Sequence, residues 1–342
     1  MSSNSIILHY ELCMIEAVTA ESIAKAVDAL RVGECVGLPT ETVYGLAADG
    51  LNPEAVAKIF EIKERPSFDP LIYHLADDTE LSSVASDVPE VAQQLVNKFW
   101  PGPLTLVLPK QLIVPDVATS GLSTVAIRCP DHDAAQELLH AYGKPLTAPS
   151  ANKFGRISPT TAQAVQEELG DAVAVILDGG PCRRGIESTI VDCTAETLKL
   201  ARPGSLALEE IEEVTGPLEV LPHDGPPSAP GMLKSHYAPR TTMYLSRDPY
   251  HPGMLAGGNH GYLVLTNTGN PSRDVLELSG MGDLVEAGVR LFGAMRELDA
   301  RHYQSIIAFP VPEQGIGRAI NDRLQKAATG YVVWRDGNWI LK

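Results

Sequence analysis

An alternation of short apolar strands with amphipathic helices is the feature that most restricts the fold of this chain. Strands are predicted where a brief run of branched and aliphatic residues ends in a polar loop, as in "CVGLPT", "PLIYHL", "LTLVLP", "TVAIRCP", "AVAVILDGG" and "STIVDC". Helices are predicted between them at "TAESIAKAVDALRVGE", after Asn52 and Pro53, at "DHDAAQELLHAYG" and at "SPTTAQAVQEELG", the last with Ser158 as its cap. Such alternation up to about residue 212 is typical of an α/β domain.

The pattern stops at a stretch rich in proline, glycine and serine. Residues 221–240, "LPHDGPPSAPGMLKSHYAPR", have no apolar period and are expected to form a linker. Strands and helices then resume in a smaller α/β unit. A chain of 342 residues is long for one core, so two domains are expected. The predicted division is 14–212, a linker region at 213–240, and 241–342.

Composition and charge exclude several classes of protein. The net charge is −16, so a broad basic face for binding nucleic acid is not expected. No apolar run approaches the roughly 20 residues that cross a bilayer, and the N-terminus lacks the pattern of a secretory signal. The five cysteines form no C-x-x-C pair, which argues against zinc sites and a disulfide framework. We therefore expect a cytoplasmic protein without membrane partners.

Two phosphate-binding motifs almost match and fail at decisive positions. "GPCRRGIE" has the glycine spacing of a Walker A loop, but Ile186 and Glu187 replace its lysine and hydroxyl residue. "GIGRAI" lacks the third glycine of a dinucleotide fingerprint, because Ile320 stands there. The chain also has no H-E-x-x-H or G-x-S-x-G signature. Neither a P-loop nor nicotinamide binding is expected.

Short polar loops that follow the predicted strands carry a shared chemistry. Ligands of open α/β sheets bind at the carboxyl ends of strands, where these loops lie. Single cations come from separate loops, namely Lys63, Arg65, Arg128 and Arg202. Hydroxyls and amides come from Thr40, Thr42, Ser150, Asn152, Ser158, Ser188 and Thr189. This mixture suits an anionic ligand with several oxygens together with a small polar one, provided that the loops converge.

The loops together resemble a known family. "GLPTETVYGLAADG", "KERPSFDPLIYHL", "FWPGPLTLVLP", "APSANKFGRISPT", "GIESTIVD" and "LARPG" occur in the order found in the YrdC domain. "APGMLKSHYAP" and "GIGRAINDRLQKAA" are similar to the linker and C-terminal domain of the long, two-domain L-threonylcarbamoyladenylate synthases. The resemblance implies a twisted open α/β domain with a central cavity, followed by a smaller Rossmann-like α/β domain. The linker is implied to act as a lid.

The resemblance also implies a reaction. L-threonine, bicarbonate or CO2, and ATP would give threonylcarbamoyl-AMP and pyrophosphate, which makes the protein a nucleotidyltransferase. A separate transferase complex would pass the threonylcarbamoyl group to tRNA beside the anticodon. Mg²⁺ would be held mainly by the ATP phosphates and water, with no dedicated metal ligands in the chain.

Site residues are implied only where the motifs match. Those around L-threonine would be Thr42, His74, Arg128, Ala148 and Ser188. Those along ATP would be Lys63, Arg65, Asp69, Thr124, Ser150, Asn152, Ser158, Arg202 and Tyr237, with Lys63 and Arg65 also contributing to catalysis. An ionised Asp69 beside phosphates would repel them, so we expect it to face the ribose or the metal.

Structural interpretations compete with these roles. Lys63 and Arg65 stand at a predicted helix C-terminus, where cations offset the helix dipole by about 0.3 to 1 kcal/mol. Arg128 could instead pair with Asp131 or Asp133 on the surface. Two other functions are also open: an RNA-binding YrdC-domain protein without synthase activity, and carbamoyl transfer in hydrogenase maturation. The acidic charge disfavours the first, and the second would bring cysteine pairs that this chain lacks.

Overall fold

The computed structural model describes residues 14–220, 236–255, 259–267 and 272–342. It contains two sheets, of eleven and six strands, each covered by helices. The predicted mixed α/β architecture with two units is therefore confirmed. Most of the predicted linker, residues 221–235, lies outside the described residues.

The N-terminal unit is built on the eleven-stranded sheet. Its strands are β1 (Met14–Ala17), β2 (Val36–Leu38), β3 (Gly45–Asp49), β4 (Ile72–His74), β5 (Leu104–Pro109), β6 (Thr124–Arg128), β7 (Leu146–Thr147), β8 (Val175–Asp178), β9 (Thr189–Asp192), β10 (Lys199–Arg202) and β11 (Glu219–Val220). Its helices are α1 (Ala20–Arg31), α2 (Pro53–Lys63), α3 (Leu81–Val84), α4 (Glu90–Phe99), α5 (Asp116–Thr119), α6 (Asp133–Tyr142), α7 (Ala162–Leu169) and α8 (Leu208–Thr215). The strand order is β1-β8-β2-β3-β7-β4-β6-β5-β9-β10-β11.

The centre of this sheet sets the position of the candidate site. Strands β4 and β6 are parallel neighbours, and their register pairs His74 with Arg128 at the last residue of each. Strand β5 runs parallel to β9, which begins immediately after Ser188. Since parallel strands carry their polar loops at the same edge, residues far apart in sequence meet there.

Local capping explains where the helices begin and end. Asn52 accepts hydrogen bonds from the first turn of α2, with Pro53 at its first position, as predicted. Helix α2 ends at Lys63 because Glu64 takes the left-handed conformation, with φ of 54°. The prediction that Ser158 caps α7 is wrong. Thr161 is the cap, and its hydroxyl accepts from the Ala164 amide at 3.2 Å.

The C-terminal unit is a smaller, mostly parallel sheet. Its strands are β12 (Met243–Ser246), β13 (His260–Val264), β14 (Val275–Glu277), β15 (Ser305–Ala308), β16 (Gly330–Arg335) and β17 (Asn338–Leu341), in the order β14-β13-β15-β12-β16-β17. Its helices are α9 (Leu284–Ala300) and α10 (Gly317–Ala327). The final hairpin of β16 and β17 was not predicted.

The two units share part of their apolar core. Ile157 and Ile186 of the N-terminal unit belong to the same buried cluster as Phe292 and Met295 of α9. The predicted boundary at residue 213 falls inside α8, which continues to Thr215 and is followed by β11 on the first sheet. The N-terminal unit therefore extends to about residue 220.

A glycine brings the backbones of the two units together. Gly185 has φ of +70°, and a Cβ added to it would lie 2.5 Å from the Cα of Val289 in α9. Any side chain at this position would collide with backbone, which cannot rotate away. The loop that contains Ile186 and Glu187 is consequently pressed against the C-terminal unit.

Candidate active site

A cavity lies at the strand ends of the N-terminal unit and is closed by residues near the end of the predicted linker. Five of the lining residues were predicted around L-threonine: Thr42, His74, Arg128, Ala148 and Ser188. Four were predicted along ATP: Arg65, Ser150, Arg202 and Tyr237. The remaining lining residues are Thr40, Val43, Gly45, Ile72, Pro149, Glu187 and His236. The predicted convergence of separate loops on one cavity is present.

Arg128 is fixed by two neighbours from the loop after β2. Its Nη1 donates to Thr42 Oγ1 at 2.8 Å, and its Nη2 lies 2.5 Å from a Glu41 carboxylate oxygen. Arg128 is 4% exposed and Glu41 1%. The predicted alternative, a surface pair with Asp131 or Asp133, is wrong because Arg128 is buried and its ion pair is with Glu41. Arg128 is thus a buried, oriented cation with its guanidinium on the cavity wall.

His74 presents a neutral ring to the same cavity. Burial, together with the neighbouring Arg128 charge, lowers the pKa of His74 to about 3. Its Nδ1 lies 3.2 Å from the Ile72 carbonyl oxygen. A carbonyl only accepts, so Nδ1 carries the proton in this hydrogen bond and Nε2 has the free lone pair. His74 can therefore accept a hydrogen bond from a ligand's ammonium or hydroxyl group.

Arg202 and Ser188 form another part of the cavity wall. The Arg202 Nη2 donates to the Ser188 carbonyl at 2.9 Å and lies 3.1 Å from its hydroxyl, which in turn lies 2.7 Å from Thr105 Oγ1. Gly204 permits this arrangement, because a Cβ there would lie 2.3 Å from the Thr189 backbone nitrogen. A second buried cation is thereby fixed on the wall.

Arg65 is held from behind by residues of its own loop. It donates to the Asp69 carbonyl at 3.0 Å and the Pro70 carbonyl at 2.8 Å, and it pairs with the Asp69 carboxylate at 2.8 Å. Asp69 is fully buried and is not among the described lining residues of the cavity. Asp69 therefore supports Arg65 from within the loop and does not reach the cavity surface.

Four other predicted ATP residues also lie off the cavity wall, in supporting positions. The Lys63 ammonium donates to the carbonyl oxygens of Ser150 and Asn152, which fixes the loop after β7. Burial, with Arg65 nearby, lowers the pKa of Lys63 well below its usual value. The Asn152 amide donates to backbone carbonyls within that loop. Thr124 begins β6, about 13 Å along the strand from Arg128, since each residue advances about 3.3 Å.

Ser158 belongs to the interface between the units. Its hydroxyl donates to Glu187 at 2.6 Å, and Glu187 lines the cavity. Its contact with the cavity is therefore made through a carboxylate rather than directly.

An aromatic stack closes the cavity from the C-terminal side. Tyr237 is 1% exposed and stacks on Phe292 with ring centroids 5.5 Å apart and planes at 24°. The His236 ring lies 4.1 Å from Tyr237. Tyr237 has φ of 65°, a strained conformation for a bulky residue, and the stack holds it there.

Two carboxylates of the site were not predicted. Glu41 and Glu187 stand in loops that the sequence already indicated, but neither was named as a site residue. Each is paired with an arginine, Glu41 with Arg128 and Glu187 with Arg323. The glutamates in "PTET" and "GIES" were the only sequence signal for these two carboxylates. The signal did not identify a partner, because the partner of Glu187 lies 136 residues away.

The donor set suits an anionic substrate better than a metal. Within the described ranges, no group of three or more His, Cys, Asp or Glu residues is placed to hold a metal ion. Likewise, no helix in those parts of the chain is both long and apolar enough to cross a bilayer.

Family models match most of the chain. Residues 28–204 match the model described as "Telomere recombination", and residues 206–329 match the C-terminal domain of threonylcarbamoyl-AMP synthase. The threonylcarbamoyl-AMP synthase of Pyrococcus abyssi is 42% identical over 88% of this chain and 92% of its own length. The protein of the same name from Bacillus subtilis is 41% identical over 91% of this chain and 94% of its own length.

A solved structure agrees with these matches. The crystal structure of P. abyssi Sua5 complexed with L-threonine superposes with a TM-score of 0.88 at 38% identity, and the match covers 95% of this chain and all of that one. Both units and the cavity between them fall within the match. On this evidence the chain belongs to the threonylcarbamoyl-AMP synthase family, in its two-domain form.

Proposed function

We propose that this protein condenses L-threonine, bicarbonate or CO2, and ATP into threonylcarbamoyl-AMP and pyrophosphate. The observation that carries the proposal is one cavity with three buried arginines on its wall: Arg128 beside Thr42, Arg202 beside Ser188, and Arg65. The family relationship supplies the reaction, and the cavity supplies groups suited to each of its substrates.

L-threonine is proposed to bind at Arg128. The guanidinium offers a bidentate partner for its carboxylate, worth about 1.5 to 3 kcal/mol per charged hydrogen bond. The free Nε2 of His74 can accept from the amine or the hydroxyl. Discrimination against serine and valine then needs both a methyl contact and a paired hydroxyl, because one methyl contributes only about 1 to 3 kcal/mol.

ATP is proposed to bind toward Arg65 and Arg202, with Tyr237 closing over it. Both arginines are buried, so their attraction for phosphate is screened little by solvent. Ser150 and the backbone that Lys63 holds supply further polar contacts. Mg²⁺ would be held by the phosphates and water, since Glu187 on the cavity wall and Glu41 next to Arg128 already pair with arginines. Its chemistry would be to neutralise phosphate charge.

The proposed chemistry requires no side-chain nucleophile. The threonine amine forms a bond to the carbon of CO2 and loses a proton, or to the carbon of bicarbonate with release of water. A carbamate oxygen then attacks the α-phosphate while pyrophosphate leaves with the bonding electrons. The chain's work is to hold the reacting groups and to stabilise negative charge that develops on phosphate. Arg65 is proposed to serve that second role directly, and Lys63 through the loop whose Ser150 and Asn152 carbonyls it holds. A separate transferase complex would carry the product's threonylcarbamoyl group to tRNA.

Product analysis tests this proposal. The protein is incubated with ATP, Mg²⁺, bicarbonate and threonine, and threonylcarbamoyl-AMP is sought by mass spectrometry while pyrophosphate is quantified. We expect both products to appear together and to require threonine. Equal pyrophosphate release with serine, or with no amino acid, would contradict the proposal. RNA binding without adenylate would favour the alternative of an RNA-binding protein.

A further inference from the structure

One arginine of the C-terminal unit is buried against the N-terminal unit. Arg323 lies on α10 and is 0% exposed. Its Nε donates to a Glu187 carboxylate oxygen at 2.8 Å, and its Nη1 donates to Asp322 at 2.5 Å. A buried cation normally requires full pairing, so its place at a domain interface calls for an explanation.

Glu187 connects this arginine to the cavity. One of its oxygens accepts from Arg323 and the other accepts from Ser158 at 2.6 Å, while the residue itself lines the cavity beside Ser188 and Arg202. Burial by itself raises the pKa of Glu187, but the charges of Arg323 and Arg202 lower it, to about 2. Glu187 is therefore an anion on the wall where phosphates are proposed to bind, and without a cation it would repel them.

Arg323 also supports the residue that closes the cavity. Its guanidinium carbon lies 5.1 Å from the centre of the Tyr237 ring, and Phe292 stacks on Tyr237. The contact is a cation–π interaction at a site with no exposed surface. One side chain of the C-terminal unit thus contacts both Glu187 and Tyr237, each of which faces the cavity.

We propose that Arg323 is a positioning residue for ATP, which neutralises Glu187 and holds Tyr237 so that the nucleotide side of the cavity is complete only when the C-terminal unit is docked. The inference rests on the proposed function, because it takes ATP as the anion that this side binds. It makes the C-terminal unit part of the nucleotide site, through one residue that the sequence motifs did not single out.

A second arginine of α10 provides a matched control. Arg318 also bridges the units, through an ion pair with Glu209 of α8, but it is 36% exposed and its partner Glu209 does not line the cavity. A purely structural role for Arg323 would make the two arginines differ in stability only. A positioning role would make them differ in nucleotide affinity.

Binding measurements on the full chain test the proposal independently of synthesis. Dissociation constants for Mg-ATP and for threonine are measured by calorimetry, with thermal unfolding of each variant. For Arg323→Gln we expect ATP affinity to fall by roughly tenfold or more and threonine affinity to change by less than about twofold. For Arg318→Gln we expect both to stay within about twofold.

A double variant isolates the charge of Glu187. Arg323→Gln with Glu187→Gln removes the carboxylate that faces the phosphates, so we expect ATP affinity to return to within about threefold of the wild type. Arg323→Lys keeps a charge but cannot reach Glu187 and Tyr237 together, and we expect a loss of about threefold in ATP affinity with the fold intact. If Arg323→Gln does not fold, the lysine variant decides the matter.

Three outcomes would overturn the proposal: equal losses for ATP and threonine, no recovery in the double variant, or unchanged ATP affinity in a folded Arg323 variant. The proposed function fails separately, if the wild type binds ATP and threonine but forms no adenylate. Calorimetry and product analysis therefore distinguish the two failures.

Discussion

The two sides of the cavity are built differently. The Arg128 side consists of Thr42, His74 and Glu41 around Arg128, all from strand ends and loops of one sheet. The Arg202 side is completed from a distance, because Glu187 depends on Arg323 of α10 and Tyr237 packs on Phe292 of α9. The wall of the first side is supported by one unit, and the wall of the second side is supported by both.

The difference teaches that a buried glutamate can have opposite relations to a binding site. Glu41 pairs with the arginine that faces the proposed amino acid, so the arginine is the contact and the glutamate orients it. Glu187 faces the proposed nucleotide, and its arginine lies behind it. Removing Arg128 should therefore weaken ligand binding directly. Removing Arg323 should weaken it indirectly, through Glu187.

The largest effect is expected from Phe292→Ala. Phe292 is fully buried in α9 and supports Tyr237, so its truncation should cost about 3 to 5 kcal/mol in the free energy of unfolding. Chemical denaturation measures that loss, and calorimetry on the folded protein should give weaker ATP binding with threonine binding preserved. Leu112→Ala, at a fully exposed side chain, is the control and should change stability by less than about 0.5 kcal/mol. Equal weakening of ATP binding and threonine binding would contradict the inferred difference between the two sides.

Arg128→Gln should weaken threonine binding by about 100-fold, because a charged, two-pronged partner of the carboxylate is lost. Combining it with Glu41→Gln relieves the unpaired buried carboxylate and should restore stability but not threonine affinity. Recovery of affinity in this double variant would show that Arg128 acts indirectly, as we propose for Arg323. Arg183→Gln, which alters an exposed arginine, serves as the control in the same titration.

His74→Gln should change how stability depends on pH. The pKa of His74 is about 3 in the folded protein and 6.5 in its ordinary state, so between these values the unfolded chain binds a proton that the folded chain does not. The free energy of unfolding of the wild type therefore falls with falling pH by about 1.4 kcal/mol per unit from this group. The difference in the free energy of unfolding between pH 7 and pH 5, measured by denaturation, should be about 2 kcal/mol smaller in the variant than in the wild type. Equal differences in wild type and variant would contradict a neutral, buried His74, and exposed His251→Gln is the control.

The smallest expected effects distinguish the roles of two hydroxyl groups in one loop. Thr161→Ala removes the cap of α7 and should cost about 1 kcal/mol in the free energy of unfolding, with ATP affinity unchanged. Ser158→Ala removes a donor to Glu187 and should weaken ATP binding with little effect on the helix. Thermal unfolding and calorimetry of both variants measure the contrast. If the two variants exchanged these effects, the assignment of Thr161 as the cap would be wrong.

Sequence predicted best what depends on local pattern. The strand that ends at His74, the cap at Asn52 and the stop at Lys63 follow from apolar runs, capping residues and proline. The five residues predicted around threonine all line the cavity, because the resemblance named them and parallel strands bring their ends together. Ser158 was misplaced as a cap since "SPTT" offers three hydroxyls, and only tertiary contact with Glu187 decides among them.

Long-range pairing escaped prediction. The contacts of Glu41 with Arg128 and of Glu187 with Arg323 join positions 87 and 136 residues apart. Neither follows from periodicity, and an acid near an anion site looks unfavourable until its partner is known. The same applies to β11, whose two residues join the first sheet after the predicted boundary at 213.

The close contact at Gly185 makes the joint between the units something that can be engineered. Because a Cβ there would meet the Val289 backbone at 2.5 Å, Gly185→Ala would work as a wedge, and a single methyl group would push α9 away from the loop that carries Glu187. A protein altered in this way would keep every residue of both cavity sides while changing only the distance between them. Such a variant would allow the effect of the distance between the units on ligand binding to be measured separately from the effect of any cavity residue.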